Sequence, residues 1–219
     1  MQKNKTLTAD SISVKHLMKA DKKFKTLYRL VGELSYKLSG DPYEFIVKTI
    51  IGQMLSTKVG DIITERLIGI CESGKIDVDS IKKIPAENMR AIGLSWRKAH
   101  CMLDFTNSYS KEGYSAKALS LMTDDEITKK ITFTKGLGSW SAKMFLIFVL
   151  GRENILPFED VAFLQALAWY ESLPSVPSKN EVKSICEKWS PYASVAARYL
   201  YTALGMGLTK EAFDSYGKR

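Results

Sequence analysis

Cysteine and histidine are scarce in this sequence. Its three cysteines, Cys71, Cys101 and Cys186, are far apart and form no pair motif, and His16 and His100 lack the spacing of metal ligands. Three cysteines cannot build a disulfide framework or ligate a four-thiolate iron–sulfur cluster. We therefore expect no metal site made of side chains, no iron–sulfur cluster and no disulfide scaffold.

Long hydrophobic runs and an apolar leader are also missing. The apolar run Met144–Leu150 has only seven residues, whereas a transmembrane helix needs about 20. The first twenty residues are too polar for a signal peptide. We expect no membrane association, and a cytoplasmic, nucleoid-associated location in a prokaryote or a nuclear one in a eukaryote.

Positive charge is in excess. The 219 residues include 32 Lys and Arg against 24 Asp and Glu, a net charge of +8. Neutralising DNA or RNA phosphates requires such an excess, so the balance favours a nucleic-acid partner. Charge alone also leaves open the possibility of a basic helical protein with no role on DNA.

Helix signals recur along the chain, and strand signals are rare. Apolar residues within 13–38 repeat near a period of 3.6 and predict helix there. We expect roughly ten helices, including a long one that ends at Gly113, and hence an all-α fold. One lobe would comprise about residues 40–130, a second 1–39 plus 131–219, with a cleft between them. The predicted N-caps are Asp41 followed by Pro42, Ser56, Ser95, and capping boxes at Thr123 and Ser178.

The most informative stretch is 133–164, FTKGLGSWSAKMFLIFVLGRENILPFEDVAFL. In Gly136-Leu137-Gly138-Ser139, two glycines permit a tight turn that comes close to a ligand. Leu137 can anchor the turn in the core, and Ser139 is a candidate N-cap of the next helix. Backbone N–H groups at such a helix start bind anions such as a DNA phosphate. An ordinary turn between helices explains the same residues.

Asp160 precedes the helical pattern VAFLQAL. Aspartate at this point is a common N-cap, which is a purely structural role. The helix dipole also favours an ionised carboxylate there, which would suit catalysis. The residues alone leave both roles open.

Taken together, these segments resemble the helix-hairpin-helix (HhH-GPD) DNA glycosylase superfamily. The matching segments, within about residues 40–205, are KGLGSWSAK, LPFEDVAFLQAL, EKWSPYASVAARYLYTAL, PYEFIVKTIIGQMLSTKVGDII and MRAIGLSWRKAHCMLDF. They are most similar to the branch of bacterial and archaeal 3-methyladenine DNA glycosylases. The resemblance implies an enzyme that flips an alkylated purine, of the 3-methyladenine or 7-methylguanine type, out of duplex DNA and hydrolyses its bond to the sugar.

The resemblance also implies a minimal helical core. Inducible bacterial relatives carry an N-terminal β domain, but only about 40 residues precede the match here, and they read as helix. We therefore expect no N-terminal β domain. Double-stranded DNA with damaged bases is the expected partner, and we expect the protein to be a monomer.

By resemblance, Asp160 is the carboxylate that stabilises the positive charge of the transition state, with Glu159 as its rival. Trp140 and Tyr201 correspond to pocket residues that attract a cationic base through their rings. Met144, one helical turn beyond Trp140, would add a softer wall.

Further positions are implied to contact DNA. Met54 in GQMLS corresponds to the side chain that fills the hole left by the flipped nucleotide, while Gln53 contacts the opposite strand or simply closes its helix. Backbone carbonyls near the glycine turn match a site for a monovalent cation, Na⁺ or K⁺, in some relatives, and no other cofactor is implied. The carbonyl residues are Thr132, Thr134 and Leu137, and the phosphate-contacting residues are Gly136, Leu137, Gly138 and Ser139.

Bifunctional members of the superfamily carry a lysine nucleophile just after the hairpin, where this chain has Trp140. Lys143 lies one helical turn further on and should project from a neighbouring face. We therefore expect a monofunctional glycosylase. Two alternatives stay open: a related glycosylase for uracil, hypoxanthine or an oxidised purine, and a non-catalytic DNA-binding protein built on the same hairpin.

Overall fold

The computed structural model describes residues 4–112 and 116–217, and helices dominate these ranges. The α-helices are α1 Ile12–Ala20, α2 Lys22–Val31, α3 Pro42–Gly52, α4 Thr57–Ile70, α5 Val78–Lys83, α6 Ala86–Ala91, α7 Trp96–Glu112, α8 Ala116–Leu121, α9 Asp124–Thr132, α10 Ser139–Phe148, α11 Val161–Glu171, α12 Lys179–Cys186, α13 Ala193–Gly205 and α14 Phe213–Gly217. The strands are β1 Asn4–Leu7 and β2 Leu34–Lys37, and two 3₁₀ helices span Glu187–Trp189 and Leu208–Lys210.

The all-α fold class is confirmed, although these ranges hold fourteen α-helices where roughly ten were expected. Several of them have only five or six residues, which is too short to display a helical period in the sequence. The expected helix end at Gly113 lies outside the described residues. Among the helices described, none has the length and apolar character that crossing a membrane requires.

The predicted N-caps form as expected. Asp41 Oδ1 accepts a hydrogen bond from Tyr43 N at 2.8 Å, with Pro42 as the first residue of α3. Thr123 and Ser178 each form a complete capping box. The Ser56 and Ser95 hydroxyls likewise accept from the backbone N–H groups of Val59 and Lys98. Each cap lies beside its helix in the sequence, so local chemistry was enough to find it.

The prediction of helix within 13–38 is confirmed for α1 and α2 but wrong after Val31. Asp21 has an extended backbone and caps α2 through Lys23 N, so α1 and α2 are separate helices. Gly32, at φ 78°, then ends α2, and the chain continues as β2, which pairs antiparallel with β1. Strand pairing between segments about 30 residues apart leaves no local pattern in the sequence, and this explains the missed strands.

The chain folds into two compact units, described separately here. The middle unit comprises Ser39–Leu150, and the terminal unit comprises Met1–Leu38 and Gly151–Arg219. Residues 131–150, which were expected in the terminal lobe, belong to the middle unit because α10 packs against α9 and α3. The apolar segment MFLIFVL thus completes the core of the middle unit.

The core of the terminal unit forms where α11 and α2 pack against α13. Phe163, Tyr170 and Tyr199 are fully buried there. The apolar sequence of α11 and α13 is therefore explained by packing, and this packing brings the N-terminus of α11 toward one face of α13.

A buried carboxylate organises part of this core. Asp21 is 5% exposed and accepts hydrogen bonds from Tyr170 Oη at 2.8 Å and Trp189 Nε1 at 3.0 Å. Lys188 Nζ lies 3.0 Å from the same carboxylate. Burial by itself would raise the pKa of Asp21, but the hydrogen bonds from Trp189, Lys188 and Tyr170 together lower it below its usual value.

We predict that Asp21→Asn lowers the free energy of unfolding by about 3 kcal/mol, because the buried donors lose their charged acceptor. Since the folded-state pKa is below the unfolded value of about 3.9, the stabilisation is complete above that pH and disappears as the pH falls through the folded-state pKa. Urea unfolding between pH 7 and pH 2 measures this difference.

Asp10→Asn is the matched control. The Asp10 side chain is 91% exposed and pairs with Lys15 at 2.8 Å, and exposed ion pairs contribute little to stability. We expect no measurable change. Equal losses for the two variants at pH 7 would contradict the role of Asp21.

Candidate functional site

Asp160 is the N-cap of α11. Its Oδ1 accepts a hydrogen bond from Phe163 N at 2.8 Å, and its carbonyl accepts one from Leu164 N at 2.9 Å. On the loop side, Asp160 N donates to Pro157 O at 3.0 Å. The half-buried carboxylate is thus fixed on both sides, at the helix end where the dipole favours its ionised form.

Tyr201 on α13 lies beside this carboxylate. Burial raises the pKa of the Tyr201 hydroxyl, and the charge of Asp160 and a hydrogen bond to its carboxylate raise that pKa further. The phenol therefore stays protonated at neutral pH. Its ring centroid is 6.4 Å from that of Phe163. Glu159, the rival carboxylate, immediately precedes the cap and is also half-buried.

Arg198, on the same helix as Tyr201, was missed in the sequence. It is 8% exposed, and its guanidinium lies 3.9 Å from the ring centroid of Tyr36 in β2. Burial lowers the pKa of Arg198, and its charge acts against the rise in the pKa of Tyr201. The available signal was an arginine within the apolar helix ASVAARYLYTALG.

The glycine hairpin Gly136-Leu137-Gly138 lies between α9 and α10. Leu137 is 4% exposed, as expected of an anchor, and its N–H donates to Thr134 O at 3.0 Å. Gly136 has φ 104°, and a Cβ there would come within 2.9 Å of Cys101 Sγ. Gly138 has an ordinary φ of −110°, and no atom lies within 4 Å of an added Cβ. Only Gly136 is therefore required by the turn itself.

The expectation that Ser139 caps α10 is wrong. Ser139 is the first helical residue, and the extended backbone of Gly138 makes Gly138 the N-cap. Glycine has no side chain with which to cap the helix, and both residues are exposed. This helix start therefore suits an external anion better than the sequence indicated.

The predicted pocket residues are divided between the units. Trp140 is half-buried in the first turn of α10, and Met144, one turn further on, is 7% exposed. Both belong to the middle unit, whereas Asp160 and Tyr201 belong to the terminal unit. Lys143 is half-buried on α10.

Met54 occupies an exposed turn between α3 and α4. Its φ of 57° is unusual for a residue other than glycine, and its side chain is 101% exposed. The neighbouring Gln53 donates from Nε2 to Gly136 O at 3.0 Å. The Gln53 amide thus connects this turn to the glycine hairpin within the middle unit.

The described residues contain no cluster of three or more His, Cys, Asp or Glu able to hold a metal ion. The three cysteines are buried and unpaired with one another. Burial raises the pKa of Cys101 to about 11 and that of Cys186 to about 12, so both are neutral thiols at pH 7.

The sequence segments that carry these candidate site residues match a known protein family. The family described as HhH-GPD superfamily base excision DNA repair protein matches residues 47–191, which include the Met54 turn, the glycine hairpin and Asp160. The chain belongs to the HhH-GPD superfamily. One protein similar to this HhH-GPD chain is DNA-3-methyladenine glycosylase 1 of Schizosaccharomyces pombe. The two sequences are 28% identical over 209 residues, which cover 91% of this chain and 90% of the relative.

Solved structures agree with the assignment to HhH-GPD. The 3-methyladenine DNA glycosylase of Schizosaccharomyces pombe in complex with abasic DNA superimposes with a TM-score of 0.83 at 27% identity, covering 93% of this chain and 98% of that one. A DNA-3-methyladenine glycosidase from Bacillus halodurans gives a TM-score of 0.80 at 24% identity, covering 95% and 96% of the two chains, and shows the shared fold.

Proposed function

We propose that this protein is a DNA glycosylase of base excision repair that hydrolytically releases alkylated purines, of the 3-methyladenine and 7-methylguanine type, from double-stranded DNA. The observation that carries the proposal is the Asp160 carboxylate, held by its own helix cap beside the Tyr201 hydroxyl. Membership of the HhH-GPD superfamily and the similarity to 3-methyladenine DNA glycosylases support it.

Asp160 is suited to the charge that develops during the reaction. As the bond between base and sugar breaks, its electron pair leaves with the base and positive charge develops on the sugar, which a carboxylate stabilises. Water then adds to the sugar carbon, and its proton passes to Asp160 or to solvent. An alkylated purine is already cationic and leaves as a neutral base, so it needs no proton from the enzyme.

Aromatic rings would recognise the same positive charge. Trp140 and Tyr201 are proposed to contact the flipped base, each through a cation–π interaction of about 0.5–2 kcal/mol. Both side chains are half-buried, so each keeps some accessible surface. Met144 is proposed to add a polarisable apolar contact from the buried side of α10.

The DNA backbone would be held by the glycine hairpin. The exposed start of α10, Gly138 and Ser139, offers a phosphate a positive helix end, and the net charge of +8 supports binding to a polyanion. Met54 is proposed to fill the space left by the flipped nucleotide, because its side chain is apolar, flexible and fully exposed.

A monovalent cation is a further proposal for the hairpin. The backbone carbonyls of Thr132, Thr134 and Leu137 are hard oxygen ligands that suit Na⁺ or K⁺. Thr134 is buried beneath the turn, and its carbonyl already helps to close it. A cation held there would add positive charge close to the proposed phosphate site.

We predict that Asp160→Asn lowers the single-turnover rate of 7-methylguanine release by roughly 10²- to 10⁴-fold. Because asparagine caps a helix about as well as aspartate, thermal stability and affinity for abasic duplex should stay unchanged. Glu159→Gln is the matched control and should keep its rate. The opposite result, an active Asp160→Asn with an inactive Glu159→Gln, would show that the wrong carboxylate was chosen.

The two hairpin glycines should respond differently. Gly136→Ala should lose about 1–3 kcal/mol of folding stability, because its φ is unfavourable for alanine and its Cβ meets Cys101. Gly138→Val should lose less stability than Gly136→Ala, no more than about 1 kcal/mol for a poorer N-cap, but should weaken binding to damaged and undamaged duplex alike, since a phosphate contact reads no base. Melting curves and fluorescence anisotropy test both. Weakened binding confined to damaged duplex would contradict the phosphate role.

We predict a monofunctional enzyme that leaves an intact abasic strand. A lyase needs an amine that forms a Schiff base with the sugar, and Trp140 occupies the position where bifunctional members have their lysine. Borohydride should therefore trap no covalent complex on lesion-containing duplex, and strand breaks should appear only after alkali. A trapped complex that disappears in Lys143→Ala would overturn the assignment.

A further inference from the structure

The backbone of the Met54 turn must be held by its neighbours. A left-handed conformation is unfavourable for a residue other than glycine, because its Cβ comes too close to the following carbonyl oxygen. Packing of the Met54 side chain cannot offset this unfavourable conformation, because the side chain is fully exposed. The turn also follows the C-terminus of α3, where backbone carbonyls lack partners within the helix.

Lys98 on α7 supplies the support. Its Nζ donates to Ile51 O at 2.8 Å and to Gln53 O at 2.7 Å, the carbonyls on either side of Gly52. The ammonium is therefore a cap for α3 provided by another helix, and its charge suits the negative end of the α3 dipole. Lys98 is half-buried, and burial lowers its pKa.

The same helix also supports the glycine hairpin. Cys101, one turn beyond Lys98 on α7, occupies the space against Gly136. The Gln53 side chain, whose own carbonyl is bound by Lys98, donates to Gly136 O. One face of α7 thus fixes both the turn that carries Met54 and the turn that precedes α10.

We propose that Lys98 is a positioning residue for base flipping, which holds the Met54 turn in its left-handed conformation and in register with the glycine hairpin. This inference rests on the proposed function. A direct phosphate contact is disfavoured for Lys98, because the ammonium is half-buried and already binds two carbonyls. Its effect should therefore depend on how much the protein must do to extrude the base.

The test compares two DNA substrates. One duplex carries 7-methylguanine paired with cytosine, and the other carries it as an unpaired single-nucleotide bulge, for which flipping costs less. We expect Lys98→Met to slow single-turnover release from the paired lesion on the order of 10- to 100-fold, and from the bulge by less than about threefold. Lys98→Arg should recover part of the rate, since a guanidinium can also donate to two carbonyls.

The exposed Lys82→Met on α5 carries the same charge change and should match wild type on both substrates.

In a double-variant cycle, adding Lys98→Met to Met54→Ala should slow release little further, because both changes remove the same wedge. Additive losses, or equal losses on paired and bulged lesions, would overturn the proposal. If Lys98→Met does not fold, Gln53→Leu, which removes the bond to Gly136, should show the same dependence on substrate.

The experiments distinguish a wrong proposed function from a wrong role for Lys98. If wild-type protein releases no base from either substrate, the proposed function is wrong. The inference is then judged by binding alone: Lys98→Met should reduce the preference for abasic over intact duplex on the order of tenfold. An unchanged preference would refute the positioning role.

Discussion

The cap that Asp160 forms on α11 is the interaction on which the proposed chemistry depends. One carboxylate oxygen closes the first turn of the helix through Phe163 N, and the carboxylate also meets the Tyr201 hydroxyl. A common structural device therefore fixes the orientation of the proposed catalytic group, because the helix must be capped in any case. The structural and catalytic readings of Asp160 are compatible.

The cap can serve this purpose because the helices beneath it are tightly packed. α11 and α13 are apolar and pack closely, which sets the distance between the α11 N-terminus and Tyr201. Asp21 joins Tyr170 of α11 to Trp189 ahead of α13 through buried hydrogen bonds. A charged group deep in this core thus specifies how the helices meet, which apolar contacts alone would leave less defined.

The candidate DNA contacts of the middle unit depend on backbone conformation, whereas the candidate site of the terminal unit depends on the Asp160 carboxylate. Two turns of the middle unit with positive φ contain Gly136, at φ 104°, and Met54, at φ 57°. Both are supported by α7, through Cys101 and Lys98 respectively. Only Met54 is strained there, because glycine adopts a positive φ readily. Strained backbone survives only where its surroundings determine it fully, and such places are commonly functional. This agrees with the proposed role of the Met54 turn on DNA.

Local chemistry determined a large part of this protein from sequence alone. Helix caps such as Asp41, Thr123 and Asp160 act within three residues of themselves, and the all-α class follows from many such signals. The hairpin and Asp160 could also be named as candidates, because the resemblance to HhH-GPD proteins is carried by short contiguous segments. Ser139 was misplaced by one residue, since the cap position depends on backbone angles that Gly138 and Ser139 could each have adopted.

Contacts between distant segments were decided only by the tertiary structure. The pairing of β1 with β2, the membership of α10 in the middle unit and the stacking of Arg198 on Tyr36 all join residues far apart in the chain. Lys98 is the clearest case, because it binds backbone carbonyls 47 and 45 residues away. Every residue carries the same backbone carbonyl, so no residue type marks the acceptor in the sequence. Only the packing of α7 against α3 selects those two carbonyls.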